Sequence, residues 1–261
     1  KVTSRLDLGA GWAVRGAYNT GFRAPTLGQA NYRATASNVL VIGGVPTPNE
    51  ALTLATGEPA AIALGATMLA WSPVGWAYNP SRTFTATVDW FRIDVDDRIV
   101  LSENFVGAGV RSILAANGIT GVDIRPRFFT NAVDTRTEGV DVVVRYLAEL
   151  GDKRNLNVTL GYNHNQVEIR RVAAAPAPLQ AAGQTQLFGR VERSRLIEAQ
   201  PRNSFRGNVI YSHDKFTVNL QQAYFGSVVS RSNLTAVAPP GADSPADLLS
   251  WRDPGDQTFA G

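Results

Sequence analysis

The 261-residue chain has no cysteine, which removes disulfides, thiolate metal sites, iron–sulfur clusters and a cysteine nucleophile together. Histidine is nearly absent. His164 and His213 stand 49 positions apart, with no third ligand grouped beside them, so polar strand-end roles fit them better than metal binding. Only three lysines occur, and the net charge of +3 comes from 25 basic and 22 acidic residues with no basic run. That balance excludes a nucleic-acid patch. No apolar run reaches the ~18–20 residues of a membrane helix. Strands remain possible as spans, because they hide their apolar residues in alternation.

What is present is period two. In WAVRGAY (12–18), Trp12, Val14 and Tyr18 share one face against Arg15. In VDVVVRY (140–146), Val140, Val142, Val144 and Tyr146 oppose Asp141, Val143 and Arg145. Leu156, Val158, Leu160 and Tyr162 oppose Asn157, Thr159 and Asn163, and Phe216, Val218 and Leu220 oppose Thr217, Asn219 and Gln221. Each is the pattern of a half-buried strand. Aromatics sit near the segment ends.

The connections alternate strictly in length. Short ones fall near 8–11, 78–82, 148–154 and 212–215; long ones span about 23–70, 101–126, 170–202 and 230–254. Long structureless loops are uncommon in compact domains. Tight turns at one end and long loops at the other mark an up-and-down barrel in an outer membrane. The expected fold is therefore an antiparallel up-and-down transmembrane β-barrel, about 8–9 strands of a larger one, with long extracellular loops. The segments near 81–100 and 127–147 exceed the ~9–11 residues needed to cross and should project beyond the bilayer. The return strand over 68–77 is the weakest, since Pro73 cannot donate to a ladder and Gly75 loosens it. One loop is expected to hold a helix over 109–117, stopped by Gly118. The Ala/Pro tract at 172–184 has no periodicity and reads as a mobile loop tip.

Several strings then carry a resemblance. NTGFRAPTL (19–27), VDWFRIDVDDRIVLSENF (88–105), LAANGITGV (114–122) and FFTNAVDTRTEGVDVVVRY (128–146) resemble the barrel of TonB-dependent outer-membrane receptors, as do IEAQPRN (197–203) and DQTFAG (256–261). The family implies a 22-stranded barrel with an N-terminal plug. It implies capture of a scarce nutrient such as a siderophore, vitamin or carbohydrate, and import driven by the TonB complex. The expected partners are outer-membrane lipid, a small nutrient ligand and TonB, the last through N-terminal segments outside these residues. The complete barrel is expected to be monomeric, with no cofactor. Lys1 in place of a methionine, and an end at Gly261 just past a strand-like segment, lead us to expect one partial barrel over 1–261, without plug, TonB box or final strands. The family usually has an LKPE-like strand start after LGAT (64–67); here MLAWSPVGWAYNP stands instead.

Enzyme signatures fail one by one. Asp89, Asp94, Asp96 and Asp97 lack the Gly turn and distal Glu of a calcium loop, and read as lumen and rim charges. GAGVRS (107–112) has Ser112 at the third glycine position, and no GxSxG occurs. The expectation is a transporter, not an enzyme. A passive porin, or a soluble β-sheet binding or hydrolytic domain, stays open. Arg23, Asp134, Arg136 and Glu138 are candidates for ligand contact or for an interior charge network, with the network favoured. Tyr32, Trp71 and Phe105 are the aromatic candidates for ligand contact.

Overall fold

In a computed structural model, the structure describes residues 2–23, 34–42, 45–54, 66–121, 124–231 and 256–260. Eight long strands lie side by side in one sheet: β1 (Val2–Gly9), β2 (Trp12–Arg23), β5 (Ala66–Ser81), β6 (Phe84–Leu101), β7 (Ile124–Glu149), β8 (Arg154–Val172), β9 (Asn203–His213) and β10 (Phe216–Phe225). Every neighbouring pair in that order is antiparallel. The sheet is open, with β1 and β10 at its edges.

The short connections are tight turns. Gly9, Ala10 and Gly11 all have positive φ (86°, 49° and 83°). Gly11 is also needed for space: a Cβ there would lie 2.4 Å from the Asn79 carbonyl oxygen of the next turn. Asp152, Lys153 and Asp214 take the left-handed conformation at the other two turns.

Register carries the alternation across the sheet. Val88 stands opposite Trp76 and Val142; Val142 stands opposite Tyr162, which faces Phe205, which faces Tyr224. A row of aromatics closes the turn end of this apolar face: Trp12 stacks on Tyr78 with ring centroids 4.2 Å apart, and Tyr78 meets Phe84 edge-on at 6.1 Å. Phe84 faces Tyr146 across the ladder, and Phe216 lies farther along. Farther up the same face stand Trp90 and, one side-chain step lower in the register, Tyr162, Phe205 and Tyr224. From Phe84 to Trp90 the strand runs about 20 Å, which a tilt of about 40° turns into roughly 15 Å of the ~25 Å apolar band of a membrane barrel. These side chains are not packed by the chain itself: Leu220 is 64% exposed and Phe216 79%. The opposite face is polar. Arg15 donates from Nε to Asp89 Oδ1 at 2.8 Å, Asn163 donates to Asp141 at 2.6 Å, and Asn208 donates to Asn219 at 3.0 Å. Asp89 thus has the lumen role expected of it.

The doubtful 68–77 strand is there, as part of the 16-residue β5. Its register slips against both neighbours at one place: Arg15 pairs with Gly75 and Ala17 with Ser72, while Trp71 pairs with Arg92 and Val74 with Trp90. Pro73 falls in that bulge, where its missing N–H interrupts no ladder bond.

Above the upper aromatic row, the long loops depart from the expectation in three ways. The stretch near 23–70 contains a hairpin, β3 (Ala34–Ile42) with β4 (Val45–Leu54), and β4 pairs in parallel with β7 at Glu50–Leu54. A purely antiparallel scheme misses this pairing. The Ala/Pro tract is not a mobile tip. It forms helix α2 (Ala177–Ala181), with Ala175 and Leu179 buried; the tract lacks a period because one turn of helix is too short to show one. A further helix, α3 (Arg190–Ile197), lies in the same connection. The expected helix is present as α1 (Ala108–Ala116), ended by Gly118 at φ 76°.

The one buried apolar core among the described residues sits in this upper region, not between sheet faces. It comprises Phe105, Val110, Leu114, Ile124, Phe128, Ala132, Val133, Ala175, Leu179, Leu187 and Phe188. Val110 and Leu114, four residues apart, form the inner stripe of α1. Phe105 and Phe128 rings lie 5.6 Å apart. β7, at 26 residues and about 85 Å, runs from the turn end into this cap.

Candidate functional site

The cap and the mouth of the polar face are the surface a ligand approaching from the loop side would meet. The cap is held by backbone bonds continuing beyond β6. Ser102 N–H donates to the Phe128 carbonyl (2.8 Å), Phe105 N–H donates to the Pro126 carbonyl (3.0 Å), and the buried Ser102 hydroxyl accepts from Phe128 N–H (3.0 Å). α1 and α2 touch so closely that a Cβ on Gly109 would lie 2.8 Å from Ala182.

α3 is gripped at both ends. Its N-cap is Gly189, which has no side chain with which to cap the helix. Glu103, from the segment after β6, reaches across instead: Glu192 N–H donates to Glu103 Oε2 at 3.4 Å. Burial pushes the Glu103 carboxyl above its ordinary range, although backbone N–H groups of Glu192, Val191 and Asn104 pull the other way. Burial likewise pushes Glu192 up, opposed by Arg195, and the charge of Glu103 pushes in the same direction. Burial lowers the Arg193 guanidinium, whose Nε donates to the Phe188 carbonyl at 2.8 Å.

From Arg190 in its first turn and Glu198 at its C-cap, α3 also fastens the residues on either side of the 232–255 segment. β11 (Val228–Ser230) pairs with β12 (Gln257–Phe259). Arg190 grips Asp256 with both terminal nitrogens (3.0 and 2.5 Å), and both side chains are buried, 3% and 5% exposed. Arg231 binds Asp256 at 3.1 Å and Glu198 twice at 2.8 Å. Hydrogen bonding from Arg231 holds the Glu198 carboxyl below its ordinary range.

The sequence candidates fall in several places. Arg23 ends β2 opposite Ala66, and Trp71 lies in β5 opposite Tyr18 and Arg92; the side chains of both are outside the described residues. Tyr32 lies outside the described residues altogether. Phe105 is 1% exposed and packs the cap. A ring with no surface cannot touch a ligand, so its part is structural. Arg136 and Glu138 do join a charge network, while Asp134 belongs to a separate cluster with Arg171 and Asp97. Arg136 binds Asp94 at 2.6 Å, Arg92 binds Asp94 at 3.1 Å, and Arg92 approaches Glu138 at 3.7 Å. The network is not interior, however. Arg136 and Glu138 share the face of Val140 and Val142, and so stand on the apolar side just above the aromatic row. Asp134 accepts from Arg171 and from the Asp97 N–H (2.8 Å), and the Arg171 bond lowers its carboxyl below the ordinary range.

Reasoning from the residues missed α3 and the network around it. A signal existed, because Glu198 lies in IEAQPRN and Asp256 in DQTFAG, the two strings that stood out for their resemblance. Among the described residues no group of three His, Asp or Glu side chains could hold a metal ion. An exposed apolar band, a polar inner face and a built cap suit passage and binding.

A family model described as TonB dependent receptor-like, β-barrel matches residues 1–247. The chain belongs to this family. TonB-dependent receptor barrels are bacterial outer-membrane proteins, and the family is one of receptors and transporters rather than enzymes. In barrels of this family an outward apolar band is the face that meets lipid. Similar solved structures include a ferric enterobactin receptor mutant from Pseudomonas aeruginosa (TM-score 0.53, 13% identity, 99% of this chain and 30% of that one). The FrpB iron transporter from Neisseria meningitidis aligns with TM-score 0.50 and 13% identity over 87% of this chain and 26% of that one. The siderophore receptor PirA from Acinetobacter baumannii aligns at 0.50 and 13% over 87% and 28%. At such identity the likeness shows the fold. No curated protein matches the sequence. The chain spans under a third of the length of each of these three structures.

Proposed function

We propose that the chain is the membrane-spanning and ligand-receiving part of an outer-membrane receptor that takes up a scarce nutrient with energy from TonB. The observation that carries this reading is the join on β7: one strand carries a lipid-facing apolar ladder at Val140–Tyr146 and, past a shift of register near Thr135, enters a packed extracellular cap around Phe128 and Val133. A pore needs only the ladder. A capture surface needs loops held in fixed places, which here are supplied by the cap core and by the ion pairs on α3. Ferric siderophores are the first ligands to test, because the neighbours named above include an iron transporter and siderophore receptors. Arg23 at the upper end of β2, and Asp134, Arg136 and Glu138 in the upper part of β7 beyond Trp90, are first choices for substitution.

The test uses the full-length receptor expressed in a host with and without TonB, with labelled ferric siderophores supplied at limiting concentration. Uptake that requires both the receptor and TonB supports the reading. Uptake that needs the receptor but not TonB would make it a passive pore.

A further inference from the structure

We propose that Glu103 and Glu192 form a proton-operated clasp at the N-terminus of α3, which tightens the extracellular cap when it gains a proton and loosens it on deprotonation. The geometry carries the argument. α3 begins at Gly189, and Glu103 Oε2 occupies the space a side chain would need: a Cβ there would lie 2.6 Å away. The cap of this helix is therefore supplied in trans, from 89 residues upstream. Glu192, 9% exposed, is in the first turn of the same helix. Two carboxylates thus share one largely water-excluded helix start. The charged groups facing them come from two elements, α3 and β7. Arg195 on α3 pairs with Glu192 and attracts Glu103; Arg127 on β7 attracts Glu192; Arg193 on α3 turns to the Phe188 carbonyl. Arg195 is 59% exposed, so solvent screens its contribution.

The positive helix end favours one carboxylate charge. A second charge in the same buried place is repelled by the first and poorly solvated. Both groups stand above the ordinary carboxylate range in the docked state, so docking binds a proton. Its contribution therefore grows as pH falls through the raised values and is lost as pH rises past them. α3 also holds the neck at Arg231 and Asp256 through Glu198 and Arg190, and the Glu198 carbonyl accepts from Val229 N–H (3.0 Å). Loosening at Glu103 consequently reaches the base of the 232–255 segment. The clasp couples two extracellular loops to the acidity outside the cell, whichever nutrient the receptor takes.

The experiment is hydrogen exchange on the full-length receptor in detergent between about pH 8 and pH 5, corrected for intrinsic exchange. Each unit of raised pKa is worth about tenfold in the docking equilibrium. In the wild type, protection of peptides over 190–197 and 228–231 should rise several-fold on acidification. In E103Q and E192Q, where a neutral amide stands in for the protonated acid, the pH slope should flatten at high protection. E149Q, at the opposite end of β7, should leave the slope intact. A wild type whose protection does not change with pH overturns the proposal. So do Gln variants that keep the wild-type slope.

Discussion

Gly139 shows how one missing methyl is written into a sheet. A Cβ there would lie 2.3 Å from the His164 carbonyl oxygen and 2.4 Å from Phe91 Cζ. The Phe91 ring lies over the glycine, across the ladder from it. G139A should lower the stability of the intact barrel in detergent by about 1–3 kcal/mol, read by urea unfolding. Adding F91A should not restore it, since the backbone contact remains; full rescue would refute this account. Arg171 offers a milder case. It holds Asp134 below the ordinary carboxylate range, and Asp134 in turn accepts the Asp97 N–H. That support is present above the ordinary carboxylate value and disappears as pH falls through the lowered one. Arg171 is 52% exposed, so R171M should cost under about 1 kcal/mol. Exchange at the Asp97 amide should nonetheless quicken a few-fold in that variant, and unchanged exchange would count against the link.

Adjacent positions on a strand face different solvents, and this can be tested within β7. Val144 lies on the lipid face and Val143 on the polar one. V144R should cost about 2–4 kcal/mol near mid-bilayer, whereas V143R should be far milder. Refolding yield into lipid vesicles compares the two, and equal losses would mean that the faces are misassigned. The strands were legible in the sequence because lipid reads only polarity, so Val140, Val142, Val144 and Tyr146 announce their face through period two. The β5 bulge was legible in part, since Pro73 marks where pairing must slip. The cap was not. α2 is five residues long, and α3 buries Arg190, Glu192 and Arg193, so neither has an apolar stripe. α3 is held instead by partners 66 and 89 positions away, Asp256 and Glu103, which no local window contains. The same blindness put Arg136 and Glu138 in an interior network: parity with Val140 was available, but the height of the aromatic row was needed to show that a charge can stand there.

For the molecule as a whole, the open sheet matters first. Among the described residues no strand pairs with the outer edges of β1 and β10, and in hydrocarbon each unpaired backbone group costs several kcal/mol. Residues 1–261 produced alone should therefore aggregate or stay unfolded in plain buffer. A monomeric species melting cooperatively, seen by ultracentrifugation and calorimetry, would contradict this. Hydrophobic residues serve two opposite ends in this receptor. Below Trp90 they point outward to a fluid that accepts any shape; around Phe105, Val110 and Phe188 they point inward to neighbours that accept one. The two halves should then differ in how freely they change over generations. Val142, Val144 and Leu160 can exchange among Leu, Ile, Val and Phe with little loss, while the cap positions tolerate only swaps that keep volume. A saturation library selected for nutrient uptake would show two regimes of tolerance along the single strand β7, with the border near Glu138.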